Sequence, residues 1–302
     1  MTIRSSTVAR RGFLAGARVA LAGLLALATV PALADAGALR EKHAQVQEQM
    51  RHSDMGRELH ITSFEADGKL QGDVFAVLDH PFATVRGALR EPARWCDILI
   101  LPFNTKYCHA VEQPEGPGLL VRIGRKFDQP LKSAHRLDFS YRNVAAVADY
   151  FESHLAAADG PLGTRDYRIV LAATPLPSGQ TFIHLSYSYG YGVAGRMAMQ
   201  SYLATVGADK IGFTVTGRGA NGKALHIGGV RGAVERNAMR YYLAIDAYLD
   251  SLSAPAGKQV EKRIQGWFSA TERYPRQLHE MERPAYVSMK LLEVERQQAL
   301  VQ

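Results

Sequence analysis

Arg236 and Arg240 stand one helical turn apart in Arg231-Gly232-Ala233-Val234-Glu235-Arg236-Asn237-Ala238-Met239-Arg240, so two cations stack along a helix beside an acid. At the mouth of a cavity they could grip a carboxylate or phosphate headgroup through charge-assisted hydrogen bonds. The competing use is an ion pair to the strand bearing Arg122 and Arg125, or to Asp138 or Glu152. Tyr187, Tyr189, Tyr241 and Tyr242, with Ile245 following on the same segment, offer large rings with polar tips, suited to an apolar ligand carrying a hydroxyl or keto group. They could equally fill a core, with their hydroxyls bonded to backbone or water.

Catalysis has thin support. The ten histidines show no His-x-x-x-His or Glu-x-x-His spacing, and Ser186 lacks the Gly-x-Ser-x-Gly setting of a nucleophile elbow. His184 and His226 are the weak candidates for general acid or base beside Tyr187; no catalytic residue is assigned. Gly160 to Tyr167 lacks the Lys-Ser/Thr ending of a phosphate loop and reads as a turn. Cys96 and Cys108 are the two cysteines: they pair in an oxidising compartment, or stand as two unlinked small hydrophobes. With no His or Cys partner at ligand spacing, neither a metal nor a cofactor is expected.

The elements that must position these residues follow from periodicity. Leu39, Val46 and Met50 predict a helix over 38–50, an N-terminal arm. Asp67-Gly68 between two alternating runs, 58–64 and 70–78, predicts a hairpin. Phe82 to Ile98 has helical spacing broken at Glu91-Pro92. Strand signals follow near 106–111, 119–125, 135–141, 149–156, 164–173 and 182–191, then a helix near 193–206 and strands near 212–216 and 224–228. In 182–191, Ile183, Leu185, Tyr187 and Tyr189 share one face, with His184, Ser186 and Ser188 on the other. Val234, Ala238, Tyr241, Ile245, Tyr248 and Leu252 line one side of a long helix, leaving Glu235, Arg236, Arg240, Asp246 and Asp250 off the stripe. After the linker 253–257, residues 258–302 read as a helical extension, docked on one side and solvated on the other.

Arg10-Arg11-Gly12-Phe13-Leu14, a short apolar run and Ala32-Leu33-Ala34 predict a cleavable signal peptide over 1–34. Twin-arginine and ordinary secretion both stay open, because Ala9 stands where the twin-arginine motif has Ser or Thr. The apolar run is too short to span a bilayer, so a periplasmic or secreted protein with no transmembrane segment is expected. Removing Arg4, Arg10, Arg11 and Arg18 lowers the formal charge from +7 to +3, which argues against nucleic-acid binding.

This order of elements resembles the helix-grip fold of the START and polyketide-cyclase superfamily (SRPBCC). Val77-Leu78-Asp79-His80-Pro81-Phe82, followed by Glu91-Pro92-Ala93-Arg94-Trp95, looks like its opening, where a strand leads through Pro to a helix and a D/E-P-x-x-W turn. The resemblance covers about residues 58–252 and implies an α+β domain, a curved antiparallel sheet gripping the closing helix over an apolar cavity. The arm 35–57 and the extension 253–302 depart from it. The leading expectation is a binding or carrier protein for a hydrophobic small molecule or lipid, with peripheral membrane contact open. The alternatives are a cyclase-like enzyme acting on a polyketide-like or aromatic substrate, and an interaction protein docking a partner through 258–302.

Overall fold

The computed structural model describes residues 36–205 and 207–300; the expected signal peptide lies outside the described residues. The chain runs through α1 (Ala36–Arg51), β1 (Leu59–Ala66), β2 (Lys69–Leu78), α2 (Phe82–Leu89), α3 (Pro92–Leu99), β3 (Thr105–Gln113), β4 (Gly116–Ile123), β5 (His135–Ala146), β6 (Phe151–Asp159), β7 (Thr164–Pro175) and β8 (Thr181–Tyr191). It continues through α4 (Val193–Ala204), β9 (Val215–Arg218), β10 (Ala224–His226), α5 (Gly229–Ser251), α6 (Ala256–Thr271), α7 (Pro275–Leu278) and α8 (Arg283–Ala299).

Asp67 and Gly68 both adopt left-handed backbone, φ 51° and 73°, as a two-residue hairpin turn requires, and this fixes Leu59 opposite Ala76 in β1 and β2. A meander from β3 to β8 returns to pair β8 with β2, giving an eight-stranded antiparallel sheet in the order β1-β2-β8-β7-β6-β5-β4-β3. Helices α2 and α3 make the crossing from β2 to β3. Pro92 opens α3 at a position where its missing N–H removes no helical bond. The Trp95 indole and the Tyr141 hydroxyl both donate to the Leu89 carbonyl, at 3.1 and 3.0 Å, so the Glu-Pro-x-x-Trp turn satisfies the exposed end of α2.

Helix α5 packs against β1, β2 and β8 on the inner face of the sheet, with α3 beside it. This is the helix-grip arrangement. Helix α1 covers part of the outer face, where Leu39, Val46 and Met50 meet Phe75, Val77 and Phe182. The stripe on α5 is buried apart from the partly covered Tyr241 and Leu252, and three charged residues off the stripe are buried too, Glu235, Arg236 and Arg240 being 0, 2 and 8% exposed, while Asp250 stays exposed. Glu235 and Arg236 are met by β1 and by the segment before β9, and Arg240 by the C-terminal segment. Helix α6 packs along α5, and α8 packs against β3.

Trp267, Phe268 and Tyr286 from this segment join Phe103 in one aromatic cluster, with the Phe103–Trp267 and Phe103–Tyr286 ring centroids 4.9 and 5.2 Å apart. Beneath it the Lys106 and Lys290 ammonium groups bind the Glu293 carboxylate at 2.9 and 2.7 Å, all three side chains wholly buried. Lys290 also donates to the Pro102 and Thr105 carbonyls and Lys106 to that of Phe103, each at 2.8 Å. The Cys108 N–H donates to Gln297 Oε1 at 3.1 Å, so α8 shields the free edge that β3 would otherwise present. Residues 253–300 therefore belong to the same compact unit as the sheet. Cys96 and Cys108 form a disulfide tying α3 to β3, with Cα atoms 5.1 Å apart.

Candidate functional site

A cavity of about 380 Å³ lies between the inner face of β4, β5, β7 and β8 and the helices α4 and α5. Its apolar walls follow from strand alternation: Val121 and Ile123, Leu137 and Phe139, and Tyr167 and Ile169 are i, i+2 pairs that point to one side of the sheet. Helix α4 closes it with Gly195, Ala198, Met199, Tyr202 and Leu203, spaced at 3, 1, 3 and 1 residues, which is one helical face.

Four tyrosines gather on one wall. The Tyr167 ring stacks on Tyr189 at 5.4 Å, and Tyr187 lies 5.7 Å from Tyr189 and 5.1 Å from Tyr241, between centroids. The Tyr167 hydroxyl bonds Thr164 Oγ1 at 2.7 Å, and that of Tyr189 points at the Met199 sulfur at 3.6 Å. Burial pushes the hydroxyls of Tyr187, Tyr189 and Tyr241 above their ordinary value, so all remain neutral donors at neutral pH.

The polar end of the cavity is basic. Arg236 Nη1 donates to the Ile211 carbonyl at 3.2 Å, and no carboxylate lies within ion-pair distance of it among the described residues. Arg240 Nη2 donates to Glu280 Oε1 at 2.5 Å and Nη1 to Asn237 Oδ1 at 3.3 Å, while Nε has no partner. Lys126 reaches the same Glu280 oxygen at 2.7 Å. Burial lowers the Arg240 guanidinium from its ordinary value; Glu280 opposes this and Arg236 adds to it. Burial would raise the Glu280 carboxyl, but Arg240 and Lys126 outweigh it and hold the group below its ordinary value.

Tyr187, Tyr189, Tyr241, Arg236 and Arg240 thus lie together on the cavity wall. Tyr242 and Ile245 do not. One residue along a helix turns the side chain by about 100°, so Tyr242 faces away from Tyr241's side and lies under the Arg57 guanidinium, 5.1 Å from the ring centroid. Ile245, one turn beyond Tyr241, sits in the packed core. The partner of Arg240 is Glu280 rather than Asp138 or Glu152, which pair with Arg136 and His154.

The histidine candidates also lie elsewhere. His184 has the opposite strand parity to Tyr187, so it faces the outer side of the sheet, stacked on Phe75 at 4.4 Å and bonded to Asp73 Oδ1 at 2.8 Å. His226 Nδ1 meets the Phe213 carbonyl at 3.2 Å on β10, off the cavity wall. Sequence reasoning missed Tyr167, Lys126 and the α4 face. Tyr167 shares parity with Ile169 and Leu171, and the 195, 198, 199, 202, 203 spacing of α4 is a helical template, so both carried a signal. Lys126 and Glu280 lie in connections and carried none.

No protein-family model matches the chain, and no curated protein matches it in sequence. Among solved structures, human StAR-related lipid transfer protein 5 is similar at 10% identity and a TM-score of 0.36, over 72% of this chain and 98% of that one. Ara h 8.0201 is similar at 12% identity and a TM-score of 0.34, over 65% and 100%. A protein from Arthrobacter aurescens is similar at 14% identity and a TM-score of 0.31, over 65% and 92%.

Proposed function

We propose that this chain is a periplasmic binding or carrier protein that encloses one hydrophobic small molecule or lipid. The observation that carries the reading is the cavity: apolar strand and helix side chains on most sides, with a few convergent polar groups at one end. A volume of about 380 Å³ lies at the low end of the roughly 300–1,000 Å³ typical of ligand sites, which suits a single-chain or few-ring molecule. Export is supported by the leader sequence and by the Cys96–Cys108 disulfide, a bond that persists in oxidising compartments.

The enzyme alternative loses its only named acid–base candidates, because His184 and His226 lie off the cavity. For the docking alternative, Trp267, Phe268 and Tyr286 are buried within the chain itself, while Leu291, Leu292 and Leu300 of the same segment stay exposed. Uptake of an apolar fluorescent probe tests the proposal. The protein should bind it with a stoichiometry of one, and Ala233→Phe, which fills the cavity from α5, should abolish uptake while leaving the melting transition in place. A variant that still binds as the parent does would place the probe outside this cavity.

A further inference from the structure

We infer that the ligand carries an anionic head, a carboxylate or a phosphate, seated against Arg236 and Arg240 at the α5 end of the cavity. The inference rests on the proposed binding function and adds the charge of what is bound.

Arg236 is 2% exposed and lines the cavity, yet it makes one hydrogen bond, to a backbone carbonyl. A guanidinium presents five N–H donors in a planar fork. A buried charge without a counter-ion is costly, and an anion within reach offsets that cost. The neighbouring charges sharpen the imbalance. Arg240 and Lys126 pair with Glu280 and Lys210 lies within its field, so three cations already draw on that one carboxylate and none is left over for Arg236. Lys210 spends one donor on the His279 carbonyl, and burial lowers it while Glu280 opposes and Lys126 and Arg240 add to the shift.

Glu235 does not redress this balance from the next position on α5. Its carboxylate is occupied by the Ser63 and Thr214 hydroxyls, each at 2.7 Å, and by the Phe213 and Thr214 N–H groups. It is also already neighboured by Arg231, whose Nε donates to Ser63 Oγ at 3.2 Å. Arg240 keeps Nε unpartnered while 8% exposed, a second unused donor on the same wall. Two buried arginines one turn apart, one without a carboxylate, form a fork matched to a planar or tetrahedral oxyanion.

Single-chain amphiphiles of one tail length and different heads test this. Dodecanoate and dodecyl phosphate should displace the apolar probe about tenfold or more tightly than dodecanol, with dodecylamine weakest. Arg236→Gln should bring the acids level with dodecanol, and Arg236→Lys should restore part of the preference. Lys126→Gln, which removes one of the two cations paired with Glu280, should weaken the acids by about threefold and dodecanol by less. Inorganic phosphate that binds alone and is lost in Arg236→Gln would support the anion site and make a free ion its source. Dodecanol binding as well as dodecanoate would overturn the inference and leave the cavity reading intact. Probe uptake without displacement by any of the four would also overturn it. Failure to take up even the probe would overturn both.

Discussion

Glu293 holds two buried ammonium groups, and this sets the largest single-residue effects away from the cavity. Removing the carboxylate leaves Lys106 and Lys290 buried with like charge, so Glu293→Gln should destabilise by about 3–5 kcal/mol in urea titrations. Replacing Lys290 by Met removes a charge and a desolvation cost together, and should be milder. The same lysine gives a pH signature. Burial, with Lys106 adding to it and Glu293 opposing, lowers the Lys290 ammonium to about 8. Between pH 8 and the ordinary lysine value near 10.4, the unfolded chain binds more protons at this position than the folded one. Stability from this group therefore rises with pH across that window and is flat below it. Denaturation of Lys290→Met should lack that rise relative to the parent, and equal slopes would show that Lys290 keeps its proton. Arg236 and Glu235 teach a different lesson. Their types and spacing were legible, but their burial was not, because Ser63 on β1 and the irregular segment holding Ile211, Phe213 and Thr214 meet them only in the completed fold.

At the scale of elements, α4 and the C-terminal helices have contrasting roles. Helix α4 supplies one wall of the cavity but packs lightly, mainly on the turn before β7, with Val193 and Met197 exposed. Its amides should exchange hydrogen faster than those of α5, and slow when the cavity is filled. Unchanged exchange on saturation would separate α4 from binding. The segment 253–302 was legible as helical and one-sidedly docked. That its other contacts include a free sheet edge was not, since edge pairing leaves no periodic mark. Deleting it would expose Trp267's partners and leave Lys106 without its carboxylate. The shortened chain should show no cooperative thermal transition. The disulfide joins α3 to β3 across 12 residues and should contribute about 3 kcal/mol, read as the loss on reduction.

For the whole molecule, the hairpin at Asp67-Gly68 and the closing helix were set by local chemistry, while the helix-grip arrangement was reached through the resemblance carried by the order of elements and the Glu-Pro-x-x-Trp opening. The cavity was only half legible. Strand parity placed Tyr187 and Tyr189 together, but Tyr242 and Ile245 were expected beside Tyr241, and helical phase turns them away from the cavity. What escaped were Tyr167 and the α4 face, whose periodicity did carry a signal, and Lys126 and Glu280, groups brought in by connections whose place depends on the completed fold. The central claim is that this fold encloses a single hydrophobic ligand. Native mass spectrometry of the protein purified from its producing cell, followed by solvent extraction, tests it most directly. One amphiphile per chain, displaced in Ala233→Phe, is the predicted result. A folded protein of bare chain mass that also takes up no apolar probe would contradict the account.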